Sequence, residues 1–329
     1  MDGPRCQVHG GWQLRTSQLC LIGLVNELNR DNQNEPGETG MKIGIGLPGA
    51  IPGVKGDFIM EWAQRAEAGP FSTLGTIDRI VYQNFEPFIM LAAAAAVTTR
   101  IRLMTGVMLA PLRNEGVLAK QAASLDAISN GRLTLGFGVG RRPDDYKAAP
   151  AKYSNRGRRF EDQIATMKRI WSGEDLDPEN GVGPVGPPPV QAGGPEILIG
   201  GGTPQSIARA GRLADGFLAA GTQPDAVEAS YKMAVEAWET AGKPGKPRLA
   251  AVCSYALGPN AADVVGGYIR HYYSFLGPVA DQMAENAVSS TEAVKGMIQD
   301  LEGIGMDELV FLPTAADLGQ LDRLADIVG

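Results

Sequence analysis

From Met41 onward the chain alternates between two hydrophobic periods. Short apolar runs of strand length are followed by stretches whose apolar side chains recur every three or four positions, as on one face of a helix. The clearest unit runs from Arg100 to Arg141, RIRLMTGVMLAPLRNEGVLAKQAASLDAISNGRLTLGFGVGR. Ile101 to Val107 predicts a buried strand. Leu118, Ala122, Leu125 and Ile128 mark a helical face, and Asn130-Gly131 supplies a left-handed stop. Arg132 to Val139 predicts the next strand, which runs into Gly136, Gly138 and Gly140. Strand, loop, helix and strand in that order demand parallel pairing through a right-handed crossover.

The same alternation predicts strands at Lys42 to Leu47, Thr73 to Asp78, Glu196 to Gly200, Gly216 to Ala220, Arg248 to Leu257 and Glu308 to Pro313. Helices are expected at Asp57 to Ala68, Pro87 to Thr98, Arg156 to Trp171, Pro204 to Ala214, Asp225 to Ala241, Ala261 to about Ile304, and Asp317 to Val328. Eight strand–helix units over about 290 residues fit an α/β fold of the (β/α)8 TIM-barrel type, with an open doubly wound sheet as the other arrangement. Residues 1–40 break the pattern. They read as a disordered N-terminal extension, or as a start assigned too early with Met41 as the functional beginning, leaving one barrel domain over 41–329. Residues 173–195 hold six prolines and six glycines, which neither a helix nor a central strand tolerates. They predict an insertion loop that either covers an active site or detours around the barrel.

Composition narrows the function. A net charge of −7 with no long basic run argues against nucleic acid or an acidic membrane surface as partner. The longest apolar run, Pro87 to Val97, is about half of what a bilayer crossing needs, and reads either as a core helix or as a subunit interface. Three cysteines make no disulfide framework, which suits a reducing cytoplasm. Cys6 and His9 have a metal-like spacing with only Cys20 nearby, and no metal site is expected. His9 and His271 are the only histidines, which counts against zinc hydrolysis and Ser-His-Asp chemistry. The chain is poor in reactive side chains and rich in glycine turns, as befits an enzyme whose cofactor carries the chemistry.

Those turns gather at strand ends. Thr105-Gly106-Val107 and Gly138-Val139-Gly140 close two successive strands, where a missing Cβ lets backbone approach a flat or charged ligand. Gly200-Gly201-Gly202-Thr203-Pro204 joins a strand end to a helix that Thr203 can cap and Pro204 can open, a site for a phosphate. Gly44, Gly46 and Gly49 have dinucleotide-fingerprint spacing, but Pro48 and Pro52 prevent a helix from opening there. Asp78-Arg79 follows the second strand, either as a catalytic-face pair or as a surface ion pair. Arg141-Arg142 and Arg156, Arg158 and Arg159 are candidates to grip a cofactor tail or a substrate acid, the second group having a solvated helix start as its other reading.

The Arg100 to Gly140 run resembles the luciferase-like flavin-dependent monooxygenase superfamily, which includes bacterial luciferase and deazaflavin-dependent reductases. Further matches, in order, are KIGIGLP at Lys42, RAEAG at Arg65, RRFEDQIATMKRIWSG at Arg158, ILIGGGTPQSIARAGRLADGF at Ile197 and GMDELVFLP at Gly305. The resemblance implies a barrel with the flavin bound across the C-terminal ends of its strands. It places Gly106-Val107 in a third-strand bulge behind the isoalloxazine, with a non-proline cis peptide in some members. Leu109 would lie beneath the ring, Gly138 and Gly140 near the ring and ribityl chain, and Gly200 to Thr203 around the phosphate. Asp78 matches a carboxylate at the ring's polar edge, and Arg79 stands where the family commonly has a catalytic histidine. The resemblance implies reduced FMN from a separate NAD(P)H:flavin reductase, O2, a small organic substrate and a homo-oligomer. Coenzyme F-420 with hydride transfer, and a non-catalytic flavin-binding protein, are the alternatives.

Overall fold

A computed structural model describes residues 40–219 and 221–329. The expectations for residues 1–39, Cys6 and His9 among them, lie outside the described residues. Eight parallel strands close into a barrel in chain order: β1 Lys42–Gly46, β2 Thr73–Thr76, β3 Arg102–Leu109, β4 Leu133–Gly138, β5 Glu196–Gly200, β6 Gly216–Ala219, β7 Arg248–Tyr255 and β8 Glu308–Pro313. The (β/α)8 expectation holds, and the open sheet is ruled out by the β1–β8 pairing from Lys42 opposite Glu308 to Ile45 opposite Phe311. Around the barrel lie α1 Gly56–Ala68, α2 Pro87–Ala96, α3 Glu115–Ile128, α4 Pro143–Ala148, α5 Arg156–Trp171, α6 Pro204–Leu213, α7 Pro224–Thr240, α8 Ala261–Tyr272, α9 Pro278–Glu285, α10 Thr291–Gly303 and α11 Gly319–Val328.

Several boundaries shift for local reasons. β1 stops at Gly46 because Pro48 opens a 3-10 turn. β3 runs past Val107 to Leu109 through a bulge between Gly106 and Met108. The helical material after β7 divides into α8, α9 and α10, the first break running through a 3-10 turn at Ser274–Leu276 to Gly277, which takes φ +57° before Pro278 opens α9. The fingerprint-like glycines of β1 serve packing. A Cβ on Gly44 would lie 2.9 Å from Val310, and one on Gly46 would lie 2.6 Å from Leu312.

The barrel interior is layered. Its floor, at the N-terminal ends of the strands, is ionic. Glu308, whose side chain is 1% exposed, accepts from Ser72 (2.5 Å), Thr73 (2.6 Å) and Arg248 (2.5 Å). Arg248 also pairs with Glu196 at 2.5 Å, and Glu196 accepts from Thr134. Burial works against the Arg248 charge, but Glu196 and Glu308 hold its pKa above the ordinary value. Above the floor, Met104, Leu198, Leu218, Ala250 and Val310 form a dry apolar layer. Above them Val107, Val252, Ser254 and Leu312 become partly exposed, so the barrel opens at the C-terminal ends of its strands.

The 173–195 loop does not cover that opening. It joins the end of α5 to the start of β5 and therefore lies at the floor end of the barrel. Asp126 of α3 fastens it there, accepting from the N–H groups of Val190 (2.7 Å) and Gln191 (3.0 Å). Lys120 donates to the Gly186 carbonyl at 2.6 Å, and the Gln191 amide donates to the Leu133 carbonyl at the foot of β4. The detour reading is the correct one.

Candidate functional site

The ends of β3, β4 and β5 converge on one side chain. A Cβ on Gly138 would lie 2.8 Å from Val107 Cγ2, and one on Gly200 would lie 2.8 Å from Val107 Cγ1. Two strands thus leave out their side chains where Val107 stands, and a flat apolar platform results. The Gly106–Val107 peptide is cis, as the resemblance implied for some members. Gly140, at φ +73°, extends the platform: a Cβ there would meet Leu109 at 3.2 Å and Tyr146 at 3.6 Å. Thr105 takes a different place. It is fully buried and its hydroxyl donates to the Gly136 carbonyl at 2.8 Å, so it lies under the platform and pins β3 to β4.

Beside the platform, Gly200 to Thr203 leads into α6. Thr203 caps the helix, its Oγ1 accepting from the Ser206 N–H while Ser206 Oγ accepts from the Thr203 N–H at 3.0 Å. The Thr203 amide is therefore engaged within the cap, and an anion would meet Gly201, Gly202 and the helix dipole. Gly201 is required as glycine, because a Cβ there would lie 2.3 Å from Ser206 Oγ.

Asp78 stands at the end of β2 with its side chain 1% exposed. Its Oδ2 accepts from the Leu109 N–H at 2.9 Å and pairs with Arg113 at 2.6 Å. Its Oδ1 is buried without a partner among the described residues. Such an acceptor is costly to leave unmatched, and it suits the N–H of a ligand. Burial opposes the charge of Arg113, but Asp78, together with Glu86 at 3.0 Å, holds its pKa above the ordinary value. Arg79 turns the other way. It pairs with Asp144 at 3.1 Å and Asp145 at 3.6 Å, both on α4. The cation that supports Asp78 is thus Arg113, which sequence reasoning missed; a lone basic residue four positions after Leu109 was its only signal.

The mouth is covered by the excursion between β7 and β8. The C-terminal end of α8 reaches over the β2 and β4 loops. Tyr82 hydrogen-bonds His271 Nδ1 at 2.9 Å and packs edge-on against Tyr272. Arg142 donates to the Tyr272 carbonyl and lies over the rings of Tyr272 (4.8 Å) and Phe275 (4.0 Å). Arg156 stacks on Tyr153, while Arg158 and Arg159 face a cleft of about 510 Å³ between α3 and α5. Arg141 is exposed beyond Gly140. Among the described residues there is no cluster of metal-ligating side chains, and no helix is long and apolar enough to cross a membrane.

Comparison with known proteins adds a family. A model described as luciferase-like monooxygenase matches residues 41–308. An uncharacterized protein of Mycobacterium tuberculosis is 29% identical over 216 residues, which span 56% of this chain and 73% of that one. The phthiodiolone/phenolphthiodiolone dimycocerosates ketoreductase of Mycobacterium bovis is 32% identical over 143 residues, 41% of this chain and 37% of the enzyme. Among solved structures, an F-420-dependent secondary alcohol dehydrogenase in complex with an F-420-acetone adduct superposes with a TM-score of 0.75 at 16% identity, covering 88% of this chain and 100% of the other. The oxygenating constituent of 3,6-diketocamphane monooxygenase from Pseudomonas putida, in complex with FMN, gives 0.69 at 19% identity, covering 88% and 96%. At such identities the structural likeness speaks for the fold.

Proposed function

The chain belongs to the luciferase-like monooxygenase family and is an oxidoreductase of the flavin type, and on that premise we propose that it takes reduced FMN and O2 to oxygenate a small organic substrate. The single observation that carries the reading is the convergence of three strand ends on Val107 beside a buried carboxylate oxygen without a partner. Platform, unmatched acceptor and phosphate-type turn fit the three parts of a flavin. Val107, Leu109, Gly138 and Gly140 would support the ring, Asp78 would accept from its polar edge, and Gly200 to Gly202 with the α6 terminus would take the phosphate. When bound, the reduced flavin supplies the electrons that activate oxygen.

The protein's own residues do the rest. Arg113 holds Asp78 in place through Oδ2, and the apolar layer beneath Val107 keeps water from the platform's underside. The α8 cap, latched through Tyr82 and Arg142, limits water from above. Coenzyme F-420 offers the same flat ring and phosphate, and the cradle accepts either. Arg79 favours oxygenation. A guanidinium held by two carboxylates is a poor proton donor, and carbonyl reduction by hydride transfer needs a donor to the new alkoxide. We further propose a cytoplasmic enzyme served by a separate NAD(P)H:flavin reductase and assembled as a homo-oligomer through α2, whose Ile89 is 68% exposed.

Titration of the full chain with FMN, reduced FMN and F-420, followed by mixing the reduced complexes with air, tests the proposal. Tight binding of reduced FMN with oxygen consumption coupled to a substrate is expected. Binding of F-420 alone, with hydride exchange and no oxygen uptake, would overturn it. Tight binding without turnover over a broad substrate panel would make the chain a flavin carrier.

A further inference from the structure

The mouth holds two arginines with opposite circumstances. Arg79 is surrounded by carboxylate. Its Nη2 meets Asp144 Oδ2, and its Nε faces Asp145 Oδ2. The remaining oxygens of that pair are also taken, Asp144 Oδ1 by the Asp145 N–H and Asp145 Oδ1 by the N–H groups of Ile80 and Val81. Neither carboxylate comes within ion-pair distance of Arg142, although both favour its charge from farther off. Among the described residues it has no carboxylate partner, and its one hydrogen bond goes from Nη2 to the Tyr272 carbonyl. It is nevertheless half-buried, held between the rings of Tyr272 and Phe275. Burial, and then the neighbouring Arg79, press its pKa below the ordinary arginine value, although it stays charged at neutral pH.

An unmatched guanidinium fixed between aromatic faces is a receptor for a planar anion. The rings set its orientation, Nε and Nη1 make no hydrogen bond among the described residues, and one of them together with the second Nη2 hydrogen offers a two-point fork to a carboxylate. The rings around it, Tyr82, Tyr272 and Phe275, suit a flat apolar body attached to that carboxylate. We propose that Arg142 is the anchor for the substrate, which is an aromatic acid whose carboxylate docks on this guanidinium while its ring enters beneath the α8 cap. The proposal rests on the flavin reading for what happens to that ring, but not for the existence of the anchor.

The test is calorimetric titration of the full chain, both flavin-free and FMN-loaded, with benzoate and with its neutral isostere benzamide. Saturable benzoate binding, at least about tenfold tighter than benzamide, is expected. Arg142→Gln should abolish that preference, Arg142→Lys should keep part of it, and both should bind FMN as the parent does. Circular dichroism of each variant checks the fold. Equal affinity of the parent for benzoate and benzamide overturns the anchor without any variant. So does a folded Arg142→Gln protein that still prefers benzoate, or one that loses FMN affinity in step with benzoate affinity. Failure of any flavin to bind would defeat the flavin reading alone, since the flavin-free titration still decides the anchor.

Discussion

Replacing Asp78 with asparagine separates two things that this carboxylate does. The amide oxygen can keep the position of Oδ2, which serves both the Leu109 N–H and Arg113. The NH2 group then falls where Oδ1 now stands unmatched. Two consequences follow. First, Arg113 loses its nearer counter-charge and retains Glu86. Breaking a buried pair costs about 3–5 kcal/mol, and with both hydrogen bonds and one carboxylate kept we expect about 2 kcal/mol. Unfolding entropy for a barrel of about 290 residues is about 0.6 kcal/mol per degree, so Tm should fall by about 3 °C. Second, in the proposed flavin pose an acceptor facing the ring becomes a donor. Losing that hydrogen bond and setting donor against donor is worth about 2 kcal/mol, or about thirtyfold in flavin affinity. Differential scanning fluorimetry and fluorescence titration with FMN read the two effects separately. A variant that binds FMN within about twofold of the parent would show that Oδ1 does not meet the cofactor, and the assignment of the polar edge to Asp78 would fall.

Further outcomes can be checked with the same instruments. Arg248→Met strands Glu308 and Glu196 in the floor and should cost about 3–5 kcal/mol, seen as a Tm loss of about 5–8 °C, with FMN affinity unchanged because an apolar layer intervenes. Gly201→Ala should weaken FMN at least about tenfold by pushing Ser206 out of the α6 cap, and riboflavin, which lacks the phosphate, should be affected much less. Shortening the 173–195 loop by removing residues 178–186 should leave flavin affinity and oxygen consumption as they are; a loss of either would return the loop to the active site. Glu67 accepts from the N–H groups of Thr99, Arg100 and Ile101. Burial raises its pKa, but those bonds overcome it and bring the value to about 2 from 4.5. A depressed carboxylate stabilises above its unfolded pKa, so this support is complete above about pH 5 and is lost as pH falls from 4.5 towards 2. Allowing for solvent screening it amounts to about 1–2 kcal/mol. Denaturant melts of Glu67→Gln against the parent should differ at pH 6 and converge near pH 2.

The fold was legible because eight strand–helix alternations leave little choice of topology, and the platform was legible because glycine at a strand end has a definite physical meaning. The position of the 173–195 loop was also readable. It follows a helix and precedes a strand, and in a parallel barrel such connections lie away from the catalytic rim. Its composition drew attention that its place in the chain did not support. The true cover was hidden in the excursion after Leu257, whose apolar spacing reads as continuous helix although Gly277-Pro278 is a turn signal within it. Arg113, Glu196, Arg248 and Glu308 look from the sequence like charges at element ends. Only closure of the barrel brings the last three together, since β5, β7 and β8 are far apart along the chain.

The cover over the mouth comes from a single connection, β7 to β8, whereas the platform comes from β3, β4 and β5. Rewriting that one connection, by lengthening it or exchanging its aromatic side chains, would change which molecules gain entry and leave the proposed flavin seat intact. A lineage built this way can diversify its chemistry at its gate while its engine stays untouched.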